Sequence, residues 1–149
     1  MSGRRAPLFQ ARPRKIRVIA GIGAVIIVAA FTVVAVLLRN TPTGAIFQPS
    51  DQVAMIGIGV LLGCGALLFA RPRVRADAEG IEIRNMVGAR RFAWDVVDRV
   101  SFPDGSAWAR LELPDDEYVP IMAVQAIDGE RAVVATLELR RIHRESTED

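Results

Sequence analysis

Two stretches of this chain contain no charged side chain, residues 18–38 and residues 53–70. Apolar runs of that length have neither the period of two of a half-buried strand nor the polar stripe of a surface helix. At ~1.5 Å per residue, the 21 residues of the first run make a helix of about 31 Å and the 18 of the second one of about 27 Å, against a hydrocarbon core of about 30 Å. Two transmembrane helices are expected, because lipid offers no partner to an unpaired backbone amide. The first run exceeds the roughly 7–15 residues of a signal-peptide core, and the second follows 14 residues later, so the first reads as a retained anchor. The connection, residues 39–52, holds Pro42, Gly44 and Pro49, which suit a turn between antiparallel helices.

From Pro72 onward the period changes to two. Val74 to Ala76 reads as a strand, Glu79-Gly80 as a turn, and Ile81 to Asn85 as a strand alternating apolar with polar. Arg90 to Ala93 forms the next strand. Trp94, Val97 and Val100 recur every three residues, as in a helical turn or a corner packed into a core. Pro103-Asp104-Gly105-Ser106 turns the chain into a strand in which Ala109, Leu111 and Leu113 alternate with Trp108, Arg110 and Glu112. A turn at Pro114-Asp115-Asp116 returns it through Tyr118 to Met122. The final segment is an amphipathic helix with Ala132, Ala135, Leu139 and Ile142 on one face, Asp128 as its expected cap, and Arg140, Arg141 and Arg144 near its end. The fold class expected is a two-helix transmembrane hairpin followed by an α+β, mainly β, domain, in which a bent antiparallel sheet or open barrel is closed by the C-terminal helix.

Charge gives this architecture a direction. The chain is 51% hydrophobic with a net charge of +2, but the balance is uneven. Arg4, Arg5, Arg12, Arg14, Lys15 and Arg17 precede the first run; residues 71–149 carry 12 arginines against 16 of the 17 acids. The loop between the runs has Arg39 alone, whereas Arg71, Arg73 and Arg75 follow the second run. The positive-inside rule places both termini in the cytoplasm of a cell-membrane protein with two spans. The expected organisation is a basic cytoplasmic tail at 1–17, spans at 18–38 and 53–70 around an external loop at 39–52, a domain at 71–144 and a disordered tail at 145–149. Basic charge beside a span points to anionic lipid and away from nucleic acid. Gly59 and Gly63 form a G-x-x-x-G pair suited to close helix packing, within the hairpin or in a homo-oligomer.

Enzyme chemistry finds little here. Cys64 lies in the second apolar run and His143 near the C-terminus, so no Cys/His or Ser/His/Asp set and no four-ligand metal site can be assembled. No glycine-rich phosphate loop is present. No catalytic residue, cofactor or metal is expected, and Asp115-Asp116-Glu117 reads as a turn.

Several of these residues together carry a family likeness: Val74-x-Ala76, Glu79-Gly80-Ile81-x-Ile83-x-Asn85, and Phe92-x-Trp94-x-x-Val97-x-x-Val100-x-Phe102. The pattern resembles bacterial PH-like domains, and with the hairpin it resembles the actinobacterial low-molecular-weight protein antigen six family. The resemblance implies a PH fold of about seven strands with a capping helix over residues 72–144. Some eukaryotic PH domains bind phosphoinositides through a basic first loop, but the corresponding loop, Asp77-Ala78-Glu79-Gly80, is short and acidic. Arg75 and Arg84 are left as a small basic spot, and Trp108, on the polar phase of its strand, as the candidate partner-facing aromatic. The expected function is a non-enzymatic, membrane-anchored adaptor or assembly factor for an unspecified protein partner at the inner face of the membrane. The alternative is a sensor or binder of anionic lipid head groups.

Overall fold

A computed structural model describes residues 7–42, 44 and 46–148. The chain divides into two units: residues 16–70, and the chain from Arg71 onward together with the segment up to Lys15.

The first unit is a pair of helices, α1 (Arg14–Asn40) and α2 (Pro49–Leu67), the second extended to Ala70 by a 3-10 turn. Both are long and apolar enough to cross a membrane. Both exceed the charge-free runs that announce them. Pro49 supplies the first turn of α2, and the Asp51 carboxylate accepts from the Gln48 N–H at 2.9 Å. The helix therefore starts four residues before the apolar run, and residues 49–52 are helix where a loop was expected. Side chains such as Val25, Leu61 and Val53 face outward, 69%, 72% and 70% exposed, which gives the hairpin an apolar exterior. At the contact between the helices, a Cβ on Gly59 would lie 2.6 Å from the Phe31 Cβ, and one on Gly63 would lie 3.0 Å from the Val28 Cγ2. Arg39 Nη1 donates to Gln52 Oε1 at 2.8 Å.

The second unit is two antiparallel sheets and a helix. β1 (Phe9–Ala11), β2 (Arg73–Ala76), β3 (Gly80–Arg84) and β4 (Ala89–Ala93) pair in chain order; β5 (Arg99–Ser101), β6 (Trp108–Glu112) and β7 (Tyr118–Gln125) form the second sheet. The inward side chains Val74, Ala76, Ile81, Ile83, Val100, Leu111 and Ile121 join Trp94, Val97 and the buried stripe of α3 (Glu130–Thr147) in one core.

The segment read as a basic tail is corrected by β1. Gln10 lies opposite Arg75 and Ala11 opposite Val74, with Phe9 and Ala11 packed on the core. The strand forms because the edge of β2 offers it unpaired backbone groups and the core offers Phe9 a place. The apolar hairpin is thus inserted between the first two strands of the domain.

Two further expectations change, at Asp128 and at the C-terminal tail, and His143 takes a place in the packing. Asp128 does not cap its own helix: Gly129 occupies the cap with φ +60, and the Asp128 Oδ1 accepts the Lys15 N–H at 3.3 Å, at the start of α1. His143 is half-buried; its Nε2–H donates to the Val97 carbonyl at 2.9 Å and its ring lies 5.4 Å from that of Trp94. The C-terminal segment stays helical to Thr147, where the hydroxyl donates to the His143 carbonyl at 2.9 Å.

Candidate functional site

The motif residues most visible in the sequence are occupied in holding the fold. A Cβ at Gly80 would meet the Phe92 carbonyl oxygen at 2.2 Å, so only glycine admits the β3–β4 approach. Asn85 joins the two sheets, donating from Nδ2 to the Pro120 carbonyl at 3.0 Å and accepting from the Met122 N–H at 3.3 Å. Trp94 is buried, and its Nε1–H donates to the Asp77 carbonyl at 2.8 Å. None of the three is free to hold a ligand.

The outer face of the four-stranded sheet is different. Strand alternation sends Val74, Ala76, Ile81 and Ile83 inward and Arg73, Arg75, Glu82 and Arg84 outward. Register sets Arg73 opposite Arg84 and Arg75 opposite Glu82, so Arg75 and Arg84 are diagonal neighbours. Arg12, just beyond β1, also lies close enough to act on Arg73. Glu82 reaches this group, 3.7 Å from Arg73. Arg91, opposite Glu82, is engaged by Asp77 at 2.7 and 2.9 Å.

Desolvation, followed by repulsion from Arg75 and Arg12, holds the Arg73 guanidinium below its ordinary pKa, and Glu82 only partly offsets this. The Nε atoms of Arg73 and Arg75 are buried and have no hydrogen-bond partner among the described residues. A row of like charges on adjacent strands costs stability unless an anion lies among them. Guanidinium groups also present forked donors that match phosphate and carboxylate oxygens. The chemistry the face offers is therefore anion binding.

Sequence reasoning singled out Arg75 and Arg84, and the fold brings them together. It missed Arg73, which the β2–β3 register sets opposite Arg84, and Arg12, whose place depends on a strand that precedes the hairpin. Trp108 lies on the other sheet, half-buried beside the β6–β7 bulge and opposite Gln125, and does not join them. Gly59 and Gly63 are in the hairpin, with the contacts given above.

A shallow concavity of about 620 Å³ on the three-stranded sheet is lined by Arg99, Arg110, Glu112, Asp115, Asp116 and Tyr118 among others. Its charges largely satisfy each other: Arg99 pairs with Glu112, which also accepts from Ser101 at 2.5 Å, and the Arg110 guanidinium sits 4.7 Å over the Tyr118 ring. Among the described residues no group of His, Cys, Asp and Glu is arranged to hold a metal ion.

Comparison with known proteins agrees with this architecture. Residues 71–142 match the bacterial PH domain family. Uncharacterised proteins of Mycobacterium tuberculosis and Mycobacterium bovis are 44% identical over 131 residues, spanning 88% of this chain and 85% of theirs. Low molecular weight protein antigen 6 of Mycobacterium tuberculosis is 41% identical over 54 residues, 36% of this chain and 47% of that protein. No solved structure matches.

Proposed function

This chain belongs to the bacterial PH domain family, and from that premise we propose that it is a non-enzymatic, membrane-anchored PH-like module that holds anionic lipid phosphates on its arginine face. The observation that carries this reading is the grouping of Arg12, Arg73, Arg75 and Arg84, in which Glu82 pairs with Arg73 and the Nε–H groups of Arg73 and Arg75 are shielded and unpartnered among the described residues. The domain's net charge does not decide the matter, because within this face the arginines outnumber the one carboxylate that pairs with them among the described residues.

Proximity to lipid supports the same reading. Arg73 follows Ala70 by three residues, and Arg12 precedes Val18 by six. At ~3.3–3.6 Å per residue the chain cannot carry Arg73 more than about 11 Å from the end of the second apolar run. Near an anionic inner leaflet each arginine gains about 1 kcal/mol.

The membrane arrangement has two independent supports. Basic residues lie before the first span and after the second, with Arg39 alone between them. In addition, β1 and β2 are hydrogen-bonded neighbours, so the chain between them must cross the membrane an even number of times. That parity keeps β1 and β2 on one side, and the charge distribution favours the cytoplasm as that side. The adaptor reading has weaker support, since Trp108 is half-buried.

Native mass spectrometry of the full chain, released from mixed vesicles of phosphatidylglycerol and phosphatidylcholine, tests the proposal. We expect preferential retention of the anionic lipid, reduced several-fold in the Arg73→Gln/Arg84→Gln double variant. Equal retention of both lipids, or an unchanged preference in the variant, would count decisively against it.

A further inference from the structure

The side of α3 turned away from the core is not uniformly polar. Val133, Val134 and Leu137 are 59%, 64% and 56% exposed, and Ile127 in the turn before the helix is 48% exposed. Val133 and Leu137 also form one wall of a groove of about 450 Å³ whose other wall includes Phe102 and Ala126. A contiguous apolar patch of this kind on a water-facing domain marks a contact surface.

The charges around the patch say what fits it. Glu130, Leu137 and Arg144 are spaced by seven residues, so they share one line along the helix. Glu130 and Arg144 are exposed and make no ion pair among the described residues. Arg140 and Arg141 are engaged: Arg140 donates to the Val100 carbonyl at 2.7 Å, and Arg141 pairs with Glu138 and Glu145. One apolar residue thus has an unpaired acid one way and an unpaired base the other, at equal distances.

We propose that this face of α3 is an interface between two copies of the chain, packed antiparallel about a two-fold axis through Leu137. In that arrangement each residue before Leu137 meets the residue equally far beyond it in the other copy. Glu130 meets the partner's Arg144, Leu137 meets the partner's Leu137, and Val134 meets the aliphatic stem of the partner's Arg140. The contact is self-complementary, as a two-fold interface requires, and the Glu130–Arg144 ion pair forms twice. Parallel packing would instead set Glu130 against Glu130 and Arg144 against Arg144. A shared membrane raises the effective concentration of copies, so a modest patch suffices.

Disulfide trapping of the full chain in its native membrane tests the proposal. In a Cys64→Ala background, Leu137→Cys should form a reducible dimer on mild oxidation, because a residue on the axis meets itself. Arg131→Cys, on another side of the helix, should not. Glu130→Arg should cut the Leu137→Cys dimer at least about fivefold by turning attraction into repulsion. Adding Arg144→Glu should restore it. Absence of the Leu137→Cys dimer, an equal yield from Arg131→Cys, or failure of the charge swap to rescue would each overturn the interface. A dimer held by the hairpin alone would reveal itself as trapping indifferent to Glu130→Arg.

Discussion

The Asp77 carboxylate accepts from Arg91 at 2.7 and 2.9 Å and from the backbone N–H groups of Glu79 and Gly80 at 3.1 and 3.0 Å, while the Asp77 carbonyl accepts from Trp94. Partial desolvation pushes this carboxyl up, but the Arg91 hydrogen bonds and charge and the two backbone donors outweigh it, leaving its pKa below the ordinary value of 3.8. A depressed carboxyl stabilises the fold at any pH above its ordinary value and loses that contribution as pH falls through the folded-state value. Asp77→Asn keeps a carbonyl for the backbone donors and loses the charge, so it should cost about 1–2 kcal/mol near neutral pH. In thermal melts of the detergent-solubilised full chain followed by tryptophan fluorescence, the deficit should shrink below pH 3.8. A deficit that does not change with acid would show that the ion pair is not its source. At Gly80 the constraint is steric. Gly80→Ala places a methyl 2.2 Å from the Phe92 oxygen, which is backbone and cannot swing away, and should cost about 3 kcal/mol in the same melt.

At the scale of elements, β1 is the test of how the domain is completed. Phe9 packs against the core while Leu8 beside it is 64% exposed. Phe9→Ala should lower stability by about 2 kcal/mol and Leu8→Ala should leave it within about 0.5 kcal/mol. Equal effects would remove β1 from the sheet. In the hairpin, Gly59→Leu forces a side chain into Phe31 and should lower the SDS concentration at which the helices separate.

The same elements show what sequence can reveal. The two apolar helices, the alternating strands β2, β3 and β6 and the buried stripe of α3 follow from local period and charge, and each was legible. β1 was not: Phe9-Gln10-Ala11 is three residues long and sits among arginines, so nothing local distinguishes it from a tail. It is a strand only because β2, more than sixty residues later, presents an edge to it. Within the arginine face Arg12 alone shares that non-local origin, since Arg73, Arg75 and Arg84 are set by the register of the adjacent strands β2 and β3. Asp128 misleads for a related reason. Its spacing suits a cap on the helix that follows, whereas Gly129 turns the chain and frees the carboxylate for α1.

For the whole molecule, the consequence is a domain whose chain is divided around two apolar helices. The chain leaves the sheet after Ala11, runs through both apolar helices and returns at Arg73 to pair with the strand it left. A detached tail could sit on either side of a bilayer; a paired strand cannot. The proposed sidedness of the protein, and the place of Arg12 beside the arginines of β2 and β3, both depend on this one pairing.

Gln10 and Arg75, cross-strand neighbours on the outer face, allow that pairing to be measured directly. Opposed residues in an antiparallel pair are close enough for a disulfide with small adjustment. With Cys64→Ala removing the native thiol, Gln10→Cys/Arg75→Cys should close an intrachain disulfide on oxidation in intact membranes, seen as a faster-migrating, reducible monomer. Gln10→Cys/Arg110→Cys, which spans the two sheets, should not. Failure of the first pair to close, or labelling of its two thiols from opposite sides of the membrane, would contradict the account.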